Sequence, residues 1–513
     1  MADHLLKSTS IVSVMTFFSR IVGFLRDMVV AQLFGVTAEI DAFWLAFKIP
    51  NFMRRLFAEG AFSQAFVPVL TEYRRTRTAS EVKLLVNKVF GGLSLVLSVV
   101  TILGIVGAPL ITRLFALGYS AQDSRLPLAC HLLQITFPYL LLVSLTAFAS
   151  GVQNTYGKFA VPAFTPVLLN ISLIGAAYGF SGFFNQPVEA LAWGVLVAGI
   201  VQLLFQIPFL RQIALFPSPQ LDWHDPGVKR VMNLMIPALI GASVMQINLL
   251  VDTIFASFLP VGSLTWLYYS DRLLEFPIGI FGVALATVML PHLSREHASK
   301  SEARFSASID WTLRWILLIG VPATIGLMLL AGPILATLFQ YGRFSAIDVQ
   351  MATRSLIALS FGLVFFLAVK VLVSAFYARQ NTKLPVKIAI VAMVLNVILN
   401  AILIGPLAHA GLALASALSS VFNVGALLWI LLRQKIYVPV IGWKTFSLRL
   451  LTANTLMGVS VWALSPELTV WLEWGAKDRV LALGALMALA GGAYFGSLWL
   501  SGLRVSHLRL ESA

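Results

Sequence analysis

Long apolar runs separated by short polar gaps repeat from one end of the chain to the other. Fourteen of them are long enough to cross the roughly 30 Å of bilayer hydrocarbon as helices. They cover residues 8–33, 38–70, 84–112, 126–154, 159–182, 187–210, 229–258, 264–292, 308–337, 347–378, 384–405, 410–432, 446–464 and 480–502. The pattern predicts an all-α polytopic membrane protein with 14 transmembrane helices. Spans 2 and 8 are the least regular. The first run, SIVSVMTFF, reaches Arg20 with no small-x-small cleavage site behind it, so it reads as the start of a retained helix rather than a signal peptide.

Composition agrees. The 513 residues are 59% hydrophobic and 11% charged, where soluble domains average about 25% charged. The single cysteine, Cys130, excludes an internal disulfide framework. A net charge of +14 could suit nucleic acid, but Lys and Arg sort by side instead. The gaps on one side hold 21 of them, including Lys7, Arg74, Arg75, Arg77, Lys83, Arg504 and Arg509. The gaps on the other hold five: Arg113, Arg125, Arg343, Lys477 and Arg479. The positive-inside rule then puts both termini in the cytoplasm. The basic excess is a topology signal, the bilayer is the expected partner, and nucleic acid is not.

The chain also repeats itself. APLITRLFALGYSAQDSRL (108–126) returns as GPILATLFQYGRFSAIDVQM (332–351), with Pro109, Leu114, Phe115 and Gly118 each matched 224 residues later. Asp123 matches Asp348, and Pro68 matches Pro291 at 223. Gln153-Asn154-Thr155 returns as Gln380-Asn381-Thr382, 227 later. Spans 1–6 and 7–12 therefore read as two copies of one six-helix unit. Six is even, so the copies run parallel about an axis along the membrane normal. This predicts two lobes, 1–215 and 216–435, around a central cleft, and a C-terminal pair of helices, 436–513, outside the repeat. Such an architecture suits alternating access.

A charge at bilayer depth costs about 2.5–3.5 kcal/mol on insertion scales, so it needs a partner, water or a function. Here the charges concentrate in equivalent spans of the two copies. Span 1 carries Arg20, Arg26 and Asp27; span 2 carries Asp41, Lys48, Arg54, Arg55 and Glu59. Span 7 carries Asp252, span 8 carries Asp271, Arg272 and Glu275, and Lys370 stands apart in span 10. Helical spacing brings Arg55 to Glu59 and stacks Asp271 with Glu275. The cations are nearly all arginine, which stays ionised and grips phosphate with a planar fork. Arg20, Arg26 and Arg272 have too few acids nearby in sequence to pair every guanidinium. They are expected to line a wet cleft and bind an anion; the alternative is a polar network that only holds spans together. Pro50, Pro68, Pro277, Gly279 and Gly282 break spans 2 and 8 and are candidate hinges.

No nucleotide engine is visible. GVQNTYGKF (151–159) has five residues between its glycines, not four, and Phe159 follows the lysine where Ser or Thr is needed. There is no HExxH motif, and the seven histidines form no ligand cluster. The expected chemistry is movement without an organic cofactor, driven by Na⁺, H⁺ or the membrane potential. Asp252, Asn396, Asn400 and Ser416 could offer oxygens to Na⁺, or the asparagines could simply bond helix to helix.

SRIVGFLRD (19–27), DAFWLAFKIPNFMRRLFAEGAFSQAFVPVLTEY (41–73), DRLLEFPIGIFGVALATVMLPHLS (271–294) and FYARQNTKLPVKIA (376–389) resemble the MurJ (MviN) family of lipid II flippases. That family belongs to the multidrug/oligosaccharidyl-lipid/polysaccharide exporter superfamily, and the resemblance spans the whole chain. It implies a transporter, not an enzyme, in the bacterial inner membrane. The substrate would be undecaprenyl-pyrophosphate carrying the peptidoglycan precursor, moved from the cytoplasmic to the periplasmic leaflet. The family's essential arginines fall on Arg20, Arg26, Arg54 and Arg272, with Arg55, Asp41 and Glu59 in matching motif positions. Helices 13 and 14 would form a groove for the lipid tail. Some relatives hold Na⁺ between helices 7, 11 and 12, but Asn400 stands where a second acid is expected. A monomer is implied, with cell-wall or division proteins as candidate partners. The rival readings are a flippase for another polyprenyl-linked glycan, a drug/cation antiporter, which would need an acid-rich cleft, and a non-transporting scaffold for cell-wall enzymes.

Overall fold

The computed structural model describes residues 2–56, 62–120, 122–299 and 301–504. Among them regular structure is helical throughout. By its internal contacts the chain divides into two compact units, Met1–Leu264 and Thr265–Ala513.

In the first unit, span 1 is α1 (Ala2–Phe34) and span 2 is two helices, α2 (Ala38–Arg54) and α3 (Ser63–Thr76). Span 3 is α4 (Ala79–Val106), followed by the short α5 (Ala108–Phe115). Span 4 is α6 (Arg125–Thr136) running into α7 (Tyr139–Thr155). Spans 5, 6 and 7 are α8 (Ala160–Gly179), α9 (Glu189–Gln212) and α10 (Pro226–Ser257). Helix starts are encoded locally. The Thr78 hydroxyl accepts the Glu81 amide, and the Glu81 carboxylate accepts the Thr78 amide, which caps α4. Asp225 caps α10, with Pro226 at a position that needs no amide donor. The core of this unit gathers Phe66, Val86, Phe148 and Val152 from three helices, and Val228, Val231 and Met235 of α10 join it.

In the second unit, span 8 is α11 (Ser263–Pro277), a π-helical turn over Ile278–Gly282, and α12 (Val283–Ala298). Its first residues, 263 and 264, belong to the first unit. Span 9 is α13 (Glu302–Leu329), followed by the short α14 (Ala331–Phe339). Span 10 is α15 (Ala346–Ser360) with α16 (Leu363–Ala378). Spans 11 and 12 form one continuous stretch, α17 (Lys383–Arg433), broken where Ala408 turns to φ 49°. That break falls in the expected gap between 405 and 410. Spans 13 and 14 are α18 (Trp443–Leu464) and α20 (Ala476–Leu500), joined through α19 (Leu468–Glu473). Leu318 of α13 packs with Leu450, Met457 and Leu498 of this hairpin, and the Tyr494 hydroxyl donates to the Leu318 carbonyl at 2.6 Å.

The irregular spans break as composition suggested. Span 2 leaves α-helical geometry at Arg55–Leu56, one turn beyond Pro50, and span 8 does so directly after Pro277. A proline removes one backbone donor, and a π-turn is one way a helix absorbs the defect.

The repeat is visible in each unit's own elements. The third span of each copy ends in a short helix, α5 or α14, whose first residues are 108 and 331, an offset of 223. The Gln-Asn-Thr match is out of phase with this. The caps Tyr156 and Arg379 close α7 and α16 at the same offset of 223. Gln153 therefore sits buried in the last turn of α7, whereas Gln380 follows its helix at φ 58°. The repeated glycine also serves two purposes. Gly342 takes φ 59°, but Gly118 lies so close to the Phe258 backbone that a Cβ has no room.

Candidate functional site

The intramembrane charges fall into two groups. Arg26 and Asp27 of α1 are enclosed, at 6% and 0% exposure, and pair with each other at 2.5 Å. Arg26 was expected to present an uncommitted fork. Its Nε also donates to Asp27 Oδ1 at 2.9 Å, so burial is offset by the neighbouring carboxylate. Asp41 is likewise not open to a cleft. It lies in the first turn of α2 at 1% exposure and accepts the Gly262 amide at 2.6 Å. Arg125 stands 4.0 Å from it, held by Asp123 at 2.7 Å and stacked 3.9 Å over Tyr119. The Arg125 hydrogen bond holds the Asp123 carboxyl below its usual range.

The second group is half-buried: Arg20 of α1, Arg54 at the end of α2, Arg55 in the π-turn, and Arg272 of α11. Arg54 donates to Asn51 Oδ1 at 2.8 Å. Arg272 pairs with Glu275 at 3.2 Å, one turn along its own helix. Asp271 and Glu275 are both exposed. Glu59 lies outside the described residues. Lys48 of α2 donates to Thr253 of α10 at 3.3 Å, next to Asp252. Lys370 is half-buried on α16.

The candidate Na⁺ ligands of α17 are committed to one another. Asn400 donates to Asn396 Oδ1 at 3.1 Å, and Asn396 donates to the Ser416 hydroxyl at 3.2 Å. Asp252 belongs to the other unit. Among the described residues no group of three or more His, Cys, Asp or Glu side chains could hold a metal. The Asn396–Ser416 bond joins spans 11 and 12, as interhelical hydrogen bonds of asparagine do.

Several polar centres had no place in the sequence reading. Asp310 of α13 accepts from the Tyr437 hydroxyl, the Val440 amide and the Trp443 indole at 2.8, 3.1 and 2.6 Å, and pairs with Arg314 at 2.8 Å. Arg314 in turn lies over the Trp443 and Phe446 rings. The i,i+4 Asp-Arg spacing was a usable signal for this pair. Arg479, 4% exposed at the start of α20, donates to the carbonyls of Ala336, Gln340, Trp471 and Leu472 at 2.9–3.2 Å. These carbonyls lie at the ends of α14 and α19, where the helix dipole favours a cation. The sequence reading counted Arg479 only as a basic residue of the gap before span 14. Nothing local announces that Arg479 is enclosed, because its acceptors are backbone carbonyls and two of them, Ala336 and Gln340, are distant in sequence.

A third centre ties the start of α10 to the rest of its unit. Lys88 of α4 pairs with Asp222 at 2.9 Å and Asp225 at 2.8 Å. Arg230 of α10 pairs with Glu72 of α3 at 2.8 Å, both about half exposed. The hydrogen bond from Arg230 holds the Glu72 carboxyl below its usual range, and that from Lys88 does the same to Asp222.

The model of the lipid II flippase MurJ family matches residues 30–476. A probable lipid II flippase MurJ of Vibrio cholerae is 45% identical over 99% of this chain and 98% of its own length. A solved lipid II flippase MurJ in an inward closed conformation matches with a TM-score of 0.78 at 27% identity, covering 95% of this chain and 99% of that one. An inward-facing MATE family multidrug transporter of the MOP superfamily matches at 0.68 and 14% identity over 81% of this chain and 94% of that one, which shows a shared fold. With helices fit to cross a membrane along its length, and a family match over most of its residues, this chain belongs to the MurJ family of lipid II flippases, membrane transporters rather than enzymes.

Proposed function

We propose that this chain moves lipid II from the cytoplasmic to the periplasmic leaflet of the bacterial inner membrane by alternating access of two lobes, 1–215 and 216–435. The observation that carries the reading is a set of half-buried arginines, Arg20, Arg54, Arg55 and Arg272, within otherwise apolar spans of a flippase-family chain. Guanidinium forks at membrane depth suit a pyrophosphate, whose unaided transfer through hydrocarbon is prohibitive. Three of the four stand within a turn or two of the breaks in spans 2 and 8, where backbone geometry changes most easily. Asp271 and Glu275 offset the charge of Arg272 on their own helix until the anionic head group arrives. Asp41 with Arg125 ties α2 to the start of α6, and Arg26 with Asp27 is a pair enclosed on α1 itself. Both termini lie in the cytoplasm, as the basic gaps require.

The test is complementation in bacteria depleted of their own lipid II flippase. Arg20→Ala and Arg272→Ala, expressed at wild-type levels, leave the precursor in the cytoplasmic leaflet, while the surface control Lys83→Ala supports growth. Rescue by both arginine variants would overturn the anion-binding role. Failure of the wild-type chain itself to rescue would point to another polyprenyl-linked glycan.

A further inference from the structure

The contacts at the start of α10 do more than cap a helix. Arg230 reaches Glu72 on α3, and Lys88 on α4 gathers Asp222 and Asp225 from the segment just before α10. Beneath these ion pairs is an apolar seat. Val228 and Val231 are 4% and 3% exposed against Val82 and Leu85, and Gly227 lies directly against the ends of the Leu85 and Tyr73 side chains, which would have to shift to admit a Cβ. The seat is incompletely filled: an apolar cavity remains among Phe62, Val89, Gly92, Trp223, Val231 and Met235. Unfilled space forfeits dispersion contacts, so separating these helices costs less than separating a fully packed pair. Seven residues beyond Arg230 stands Pro237, which removes one backbone hydrogen bond from α10 and gives the segment 226–236 a place to pivot.

We propose that Glu72–Arg230 and Lys88–Asp222/Asp225 form a cytoplasmic latch that holds the first turns of α10 shut against α3 and α4. Its release is a step in admitting the head group from the cytoplasmic side. The proposal rests on the flippase reading above for its purpose, but not for its existence. Ion pairs suit this task. They hold register while closed, and solvent takes over the charges once they part, so opening strands no buried charge. The opposite end of α10, with its enclosed Asp41 carboxylate, has no such provision.

Two experiments separate the latch from the flippase reading. In a Cys130→Ser background, Glu72→Cys with Arg230→Cys is joined through two mixed disulfides by a short bis-methanethiosulfonate in proteoliposomes loaded with lipid II. Cross-linking stops translocation and reductant restores it. Equal translocation before and after cross-linking overturns the latch. No translocation by the Cys130→Ser parent counts against the flippase reading alone, and the second experiment then decides the latch. Met232→Cys, on the same turns of α10, is labelled with a membrane-impermeant maleimide. Glu72→Lys raises the labelling rate by about two- to fivefold, the shift a surface ion pair can supply. The swap Glu72→Arg with Arg230→Glu returns the rate to that of the parent. Labelling that ignores both changes would sink the latch whatever the transport assay shows.

Discussion

The two ends of α10 are fastened by different physics. Near its C-terminus the contacts are dry. Ser257 accepts the Gly118 amide at 2.9 Å, Gly118 lies against the Phe258 backbone, and just beyond, Gly262 donates to a carboxylate that is 1% exposed. At its N-terminus the outer pair faces solvent, with Glu72 and Arg230 both about half exposed, and Lys88 and Asp225 beside it remain 15% and 18% exposed. A buried carboxylate that loses its partners is left with an uncompensated charge, whereas an exposed pair that parts is rehydrated. The first arrangement fixes a joint and the second permits one to open. One helix can thus be anchored at one end and releasable at the other.

The largest test of this contrast is Asp41→Ala. It strips the Gly262 amide of its acceptor and Arg125 of a nearby acid within an enclosed site, and should cost about 3–5 kcal/mol. The loss reads as a lowered Tm in detergent, with Asp41→Asn recovering part of it by keeping an acceptor. Next comes Gly118→Ala. Its added methyl meets the backbone of residue 258, which cannot rotate away, so a loss of about 1–3 kcal/mol is expected. A wild-type Tm here would mean that the two segments are not held as close as they appear. At the other end, Arg230→Gln should leave Tm close to wild type. The small difference that remains should vanish in about 1 M salt, where the Debye length is about 3 Å. A salt-insensitive difference would show that the pair is shielded from solvent and would erase the contrast.

The smallest effect is on pH. Glu72 and Asp222 have folded pKa values below their unfolded ones. Their contribution is therefore fully present above the ordinary carboxylate range and is lost as pH falls through it, below about pH 4. The accessibility of the Met232→Cys probe, taken as its labelling rate divided by that of a fully exposed reference cysteine so that the common fall in thiolate cancels, should rise over that window in the parent. It should be flatter with Glu72→Gln and Asp222→Asn combined.

Much of the fold was legible because its signals are local. A run of apolar residues of bilayer length becomes a helix wherever it lies, since lipid offers the backbone no other partner. Pro50 and Pro277 marked spans 2 and 8 as the broken ones, and the backbone departs from α-helix a few residues on or at once. The third span and short helix of each copy kept an offset of 223 between units. The Gln-Asn-Thr repeat shows the limit of the method. Three identical residues recur, yet one copy is buried inside a helix end and the other begins at a positive-φ turn.

The candidate site was legible as a composition and not as an arrangement. The sequence placed arginines in spans 1, 2 and 8, but it could not distinguish Arg26, sealed with Asp27, from Arg20 or Arg272, which remain half-buried. Asp41 looked like one more cleft charge until its partner proved to be the amide of Gly262, 221 residues away. The enclosure of Asp310 and Arg479 in the second unit was not read from the sequence because several of their partners, Val440 and Trp443 for the first and Ala336 and Gln340 for the second, lie 130 or more residues distant, and most are backbone groups, which every residue carries. By itself, then, the sequence determined the number of spans, their duplication, their breaks and the sign of the charge they would carry. Those follow from hydropathy and backbone chemistry within about 20 residues. Only the tertiary structure decided which charges are spent on holding helices together, because pairing and burial depend on segments that meet only after the chain has folded.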